Sequence, residues 1–126
     1  MSCVMIDTQV AVTLFKGRAT GLSQTAQRLL DRANIQYSPM VSFELELLHE
    51  IGRIRLGAAD VCGYLARELN VVESQERLSE IVRHALPLRF TRDPFDRLIV
   101  AHADLLRVPL ITLDTTLLAH YPRALN

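Results

Sequence analysis

Apolar residues in this chain follow two rhythms. Cys3-Val4-Met5-Ile6 is a short unbroken apolar run, the signature of a strand buried on both faces, and Leu110-Ile111-Thr112-Leu113 repeats it near the end. Ile35-Gln36-Tyr37-Ser38 reads as another short strand, closed by Pro39, and Val71-Val72 as a further one. Between these runs the apolar spacing is helical. Val10, Val12, Leu14 and Phe15 open a helix that ends in the loop Lys16-Gly17-Arg18-Ala19-Thr20-Gly21. Ser23 is placed to cap a helix running through Leu29, Leu30 and Ala33, closed by Asn34. A helix is expected from Met40 to about Arg55 and, after the break at Gly57, another from Ala58 to Leu69. Ser74 is expected to start one that ends before Pro87. Asp93-Pro94 is a strong start for a helix reaching about Arg107, because proline favours the first helical position. Asp114 opens a last short helix, and the few residues after it leave little room for a final edge strand. Strands alternating with helices imply an α/β fold, a parallel sheet covered by helices on both faces, in one domain over residues 1–126.

Four acids stand out against this frame. Asp7 follows the first strand and Asp114 the last, and open parallel sheets bind ligands beyond the carboxyl ends of their strands. Each is equally a good N-cap. Glu44 shares a helical stripe with Val41, Leu45, Leu48 and Ile51, opposite Glu46, His49, Glu50 and Arg53. A carboxylate facing inward needs a cation, and an arginine or a metal ion would both serve. Asp96 falls in the first turn after the Asp93-Pro94 start. It lies on the side of Ile99, Val100 and Ala103, with Arg97 and Asp104 on the expected exposed side. Two inward acids and two at strand ends exceed what capping requires. Carboxylates gathered closely repel unless a divalent cation lies between them, and an all-oxygen set selects Mg²⁺ or Mn²⁺.

Composition narrows the classes. The 126 residues are 49% hydrophobic and 22% charged with zero formal net charge, so the chain as a whole is no polyelectrolyte. Of its 14 basic residues only Lys16 is lysine. Arginine suits phosphate through its planar fork, although genome composition gives the same bias. Cys3 and Cys62 form no CxxC pair, which argues against a disulfide framework and for a reducing compartment. His49, His84, His102 and His120 lack metal-ligand spacing and are expected to be structural or at the surface. No apolar run approaches the ~18 residues of a membrane span, and the first residues lack a signal-peptide layout, so a cytoplasmic location is expected.

Met5-Ile6-Asp7-Thr8, Ser42-Phe43-Glu44, Arg92-Asp93-Pro94-Phe95-Asp96-Arg97-Leu98-Ile99-Val100-Ala101 and Leu110-Ile111-Thr112-Leu113-Asp114 make the chain resemble the PIN domain, in particular the VapC-type toxins of bacterial toxin–antitoxin pairs. The Asp-Pro-Phe-Asp-Arg stretch is the most specific part. Gln9 and Phe43 stand where that subgroup often carries His and Trp. The resemblance implies a three-layer α/β/α sandwich with a short central parallel sheet. It further implies a Mg²⁺-dependent (or Mn²⁺-dependent) endoribonuclease, commonly a homodimer, held inactive by a small antitoxin. Asp7 and Asp96 match metal-binding acids; Glu44 and Asp114 match the acids that hold or orient metal and water. Asp93 is expected to cap and assist from behind, and Thr112 to orient Asp114 through its hydroxyl. Lys16, Arg18, Arg89 and Arg92 are candidates to guide an RNA backbone. Two alternatives stay open: a catalytically inactive PIN-like interaction module, and a PIN nuclease of RNA processing that has no antitoxin. Dehalogenase-like phosphatases are disfavoured because Asp7-Thr8-Gln9 lacks their second acid, and receiver domains because only Glu73 follows Val71-Val72.

Overall fold

The computed structural model describes residues 2–18 and 21–126; Ala19 and Thr20 of the expected first loop lie outside the described residues. In chain order the elements are β1 (Cys3–Ile6), α1 (Thr8–Phe15), α2 (Gln24–Arg32), β2 (Asn34–Tyr37), α3 (Pro39–Glu50) and α4 (Ala58–Leu69). They continue with β3 (Val72–Glu73), α5 (Leu78–Ala85), α6 (Pro94–Leu106), β4 (Leu110–Ile111), α7 (Thr115–His120) and β5 (Ala124–Leu125). The strands form one sheet in the order β3-β2-β1-β4-β5, every pair parallel, flanked by helices. The α/β/α architecture with a short parallel sheet is therefore as expected. Val4, Met5 and Ile6 of β1 and Leu110 and Ile111 of β4 have no exposure, as unbroken apolar runs at a sheet centre should.

The order of strands fixes where a site can form. β1 lies between β2 and β4, the point from which the chain winds outward both ways, and ligands bind at such switch points. Ile6 pairs with Tyr37 on one side and Ile111 on the other, so Asp7, Ser38 and Thr112 fall one step beyond, level with one another. Helices α1, α3 and α7 start from this edge, capped by Asp7, Ser38 and Asp114.

α6 reaches the same edge through a second small core. Ile81 and Ala85 of α5 pack with Ala101, backed by Leu88, Leu98 and Leu105. Arg97 donates from Nε to the Ala85 carbonyl (3.0 Å) and from an Nη to the Leu86 carbonyl (2.9 Å), satisfying the carboxyl end of α5. His84 meets Asp104 at 2.6 Å, and Asp104 also lies 3.8 Å from Arg123. Arg97 and Asp104 thus hold α5 and α6 together and are half-buried, instead of marking an exposed stripe.

Other expectations are corrected. A final edge strand does exist, since Ala124–Leu125 pairs with β4. α3 ends at Glu50, where Ile51 leaves helical geometry and Gly52 adopts φ +78°, so Ile51 is 69% exposed rather than inward. α5 begins at Leu78 rather than after Ser74. Ser74 is buried, bonded to Gln36 Oε1 (2.9 Å) and to Glu76, and so is not free to cap. Asn34 opens β2 instead of closing α2. Glu46, expected to be solvated, accepts from the Ala58 N–H at 3.0 Å and so caps α4, whose own N-cap residue Gly57 has no side chain.

Candidate active site

Residues at the starts of α1, α6 and α7, the middle of α3 and the segment after it line a cleft of ≈ 470 Å³ beyond the carboxyl ends of β1 and β4. Asp7, Glu44, Asp93, Asp96 and Asp114 line it, with Thr8, Gln9, Lys16 and Arg53. Acids from separate segments are brought together by the sheet. Arg18, Arg89 and Arg92 are exposed and do not line the cleft.

Asp7 is 6% exposed. Its Oδ1 accepts from the Val10 N–H at 2.9 Å and its Oδ2 from the Thr112 hydroxyl. Burial pushes its pKa from the ordinary 3.8 up to about 6. The two hydrogen bonds oppose this, while Asp114 and Glu44 add to it. The Thr112 hydroxyl, expected to orient Asp114, donates to Asp7, because the register sets the two side by side. It also accepts from the Asp114 N–H at 3.0 Å.

Glu44 is half-buried and accepts a short hydrogen bond from the Thr8 hydroxyl. Burial raises its pKa, Thr8 pulls it down and Asp93 adds to the rise. Among the described residues no ion pair involves Glu44, Asp7, Asp96 or Asp114, so the arginine alternative for Glu44 is not realised. Asp96 sits in the first turn of α6 and none of the hydrogen bonds among the described residues ends on its carboxylate. Its pKa is pushed up to about 6 by burial first, then by Asp93, Asp114, Glu44 and Asp7 in turn. Asp93 Oδ1 accepts from the Phe95 N–H (2.8 Å) and Asp96 N–H (3.1 Å), and Asp114 Oδ1 from the Thr116 N–H (2.8 Å) and Leu117 N–H (3.1 Å). Both are N-caps, as expected of Asp93 and as the alternative for Asp114 had it.

Among the described residues no three His, Cys, Asp or Glu side chains converge closely enough to enclose an ion as they stand. The acids act on one another across the cleft. That spacing fits a hydrated hard cation, because Mg²⁺ keeps several waters and needs only one or two carboxylates directly. The donor set is all oxygen, which suits Mg²⁺ or Mn²⁺ better than zinc.

Sequence reasoning missed Thr8 and Arg53. Thr8 directly follows Asp7 but acts on Glu44, 36 positions away, a pairing that only the fold creates. Arg53 was assigned to the solvated side of a longer helix; with α3 ending early, it lies on the cleft beside Ile54.

Comparisons with known proteins agree with the fold. Three solved structures resemble the chain over almost its whole length. VapBC2 from Rickettsia felis bound to a promoter DNA fragment gives a TM-score of 0.68 at 15% identity, covering 98% of this chain and 96% of that one. A toxin–antitoxin complex from Klebsiella pneumoniae gives 0.65 at 21%, covering 98% and 96%. DNA-bound VapBC from Salmonella typhimurium gives 0.65 at 19%, covering 99% and 96%. No curated protein matches the chain in sequence. The family model described as PIN domain matches residues 4–123, which includes every acid of the cleft, and the chain belongs to the PIN domain family.

Proposed function

We propose that this protein is a Mg²⁺-dependent endoribonuclease, the toxin of a toxin–antitoxin pair. The observation that carries the reading is the cleft itself: Asp7, Glu44, Asp96 and Asp114 come from four separate segments, burial and then neighbouring carboxylates raise the proton affinity of Asp7 and Asp96, and none of the four forms an ion pair among the described residues. Such a set is stabilised by a hard divalent cation. Asp7 and Asp96 would hold the principal ion. Asp7 is locked by Thr112 and Val10, while the Asp96 carboxylate is uncommitted. Glu44, fixed by Thr8, and Asp114, fixed as a cap, would help hold the ion and would orient an attacking water. A bound Mg²⁺ or Mn²⁺ supplies charge to the phosphodiester oxygens and lowers the pKa of an attacking water. Lys16 and Arg53, which line the same cleft and form no ion pair among the described residues, draw the RNA phosphate in. Asp93 acts from behind by setting the first turn that presents Asp96.

The antitoxin partner is supported by likeness to structures described as toxin–antitoxin complexes. A homodimer is supported by family resemblance and by α5, whose Leu78 (60% exposed), Val82 (38%) and Leu86 (60%) form an apolar stripe at helical spacing. No helix among the described residues is long and apolar enough to cross a membrane, and a cytoplasmic location is part of the proposal. The test is incubation of the purified protein with total RNA, with and without Mg²⁺ or Mn²⁺, followed by sequencing of new ends. Cleavage should require the ion and disappear in Asp96→Asn. Metal-independent cutting, or undiminished cutting by that variant, would overturn the assignment.

A further inference from the structure

We propose that Phe43 and Phe95 form a stacking platform for an unpaired nucleobase at one end of the acid cleft, selecting single-stranded RNA by its base faces. The inference deepens the ribonuclease reading and rests on it.

Phe43 is 56% exposed and is the only aromatic among the exposed large hydrophobics of the described residues. Its ring meets that of Phe95 at 5.8 Å between centroids, tilted by 51°. A tilted pair leaves the outward face of the exposed ring without a partner. Each ring is rooted one residue before a cleft acid: Phe43 before Glu44 on α3, Phe95 before Asp96 on α6. Successive helical side chains point in different directions, so the ring pair spans α3 and α6 at the level of Glu44 and Asp96 while lying at the rim of the cleft, outside its lining. The root of Phe95 is fixed, since its N–H donates to the Asp93 cap.

The cleft also has a direction. α3 contributes Glu44 and then Leu48 to its lining, and Arg53 follows the helix end beside Lys16. At a rise of ~1.5 Å per residue, the aromatic end lies roughly 10–15 Å from the basic end. A strand whose phosphate is held by Lys16 and Arg53 passes the acids and delivers its next base to Phe43. Single-stranded RNA is recognised by stacking on aromatic side chains, and every base offers a π-face. A nucleotide is the occupant argued for because the pair joins the same two helices, at the same level, that supply Glu44 and Asp96 to the cleft proposed to act on RNA.

The test uses the full chain in EDTA with a short oligoadenylate carrying 2-aminopurine, whose fluorescence is quenched on stacking, and a labelled oligouridylate for comparison. Phe43→Ala should weaken oligoadenylate binding by ~5- to 150-fold, the range one stacked base is worth, and abolish the quench. Phe43→Trp should restore both. Phe43→Leu, apolar and easily accommodated at an exposed position, should behave like alanine. Wild-type binding by the leucine variant would show an apolar contact rather than stacking, and unchanged binding by the alanine variant would show none; either overturns the inference. Metal-dependent cutting of total RNA with unchanged Phe43→Ala binding removes the platform alone. Absence of any RNA binding or cutting by the wild type removes the ribonuclease reading with it.

Discussion

Asp7→Asn tests the physics of the cleft independently of RNA. Asp7 is buried and its pKa stands at about 6 against an ordinary 3.8, so keeping it ionised in the folded protein costs about 3 kcal/mol. The sign follows from proton binding. Between about pH 4 and pH 6 the folded state holds more protons than the unfolded state, so stability falls as pH rises through that window. The cost is complete above about pH 6 and gone near pH 4. Asparagine keeps the shape and removes the charge; its Oδ1 can still accept from Val10 N–H and its amide can donate to the Thr112 oxygen. The pKa of about 6 already contains those hydrogen bonds; what asparagine loses is the acceptor for the Thr112 hydroxyl proton, which returns about 1 kcal/mol of that gain. The metal-free variant should therefore be about 2 kcal/mol more stable than wild type at pH 8, roughly 5–10 °C in Tm, while losing metal-dependent cleavage. Thermal unfolding in EDTA at about pH 8 and pH 4 measures the difference between the two proteins. Added Mg²⁺ or Mn²⁺ should close the gap by stabilising wild type alone. A variant equally destabilised at both pH values would refute the claim that an ionised Asp7 strains the fold.

Three further outcomes are expected. Thr112→Val removes the donor to Asp7 and the acceptor for the Asp114 N–H, and should lose about 1–3 kcal/mol in urea titrations with weaker Mn²⁺ binding by calorimetry; full wild-type metal affinity would show that Thr112 does not position Asp7. Gly57→Ala sets a Cβ 2.6 Å from Glu46 Oε1 and displaces the cap on α4, so it should lose about 0.5–2 kcal/mol, and no more when combined with Glu46→Ala. Lys16→Ala and Arg53→Ala should each lower the salt dependence of RNA binding by ~0.7 in the slope of log affinity against log salt, and an unchanged slope would remove that residue from the phosphate path.

How far the sequence carried depended on range. Unbroken apolar runs located β1 and β4 because nothing but a two-sided burial explains them. β5 has only Ala124 and Leu125, and exists through backbone pairing with β4, which no local pattern announces. The end of α3 turned on Gly52 taking a left-handed φ, and that one turn moved Ile51 outward and Arg53 onto the cleft. Asp96 and Glu44 were legible from helical stripes. Thr8 and Thr112 were not legible in their roles, because the partner of each hydroxyl is set by register and helix packing between segments 36 and 105 positions apart.

The structure also changes what capping means for this site. Cap and ligand were opposed readings of each aspartate, yet a carboxylate has two oxygens. Asp93 and Asp114 each use Oδ1 for two backbone N–H groups, and no hydrogen bond among the described residues occupies Oδ2. Capping then orients a carboxylate at little loss of acceptor capacity, and the helix N-terminus beneath it partly offsets the charge. Asp7 differs, because both its oxygens are engaged and it is the most deeply buried of the set. Glu44 and Asp96 cap nothing; Asp96, in the first turn of α6, has the helix dipole in its favour, whereas Glu44, in the middle of α3, has no helical explanation. Helix starts at a sheet's switch point therefore assemble acids: capping accounts for Asp93 and Asp114, while Asp7, Glu44 and Asp96, whose charged forms burial disfavours, are the ones a bound cation would relieve.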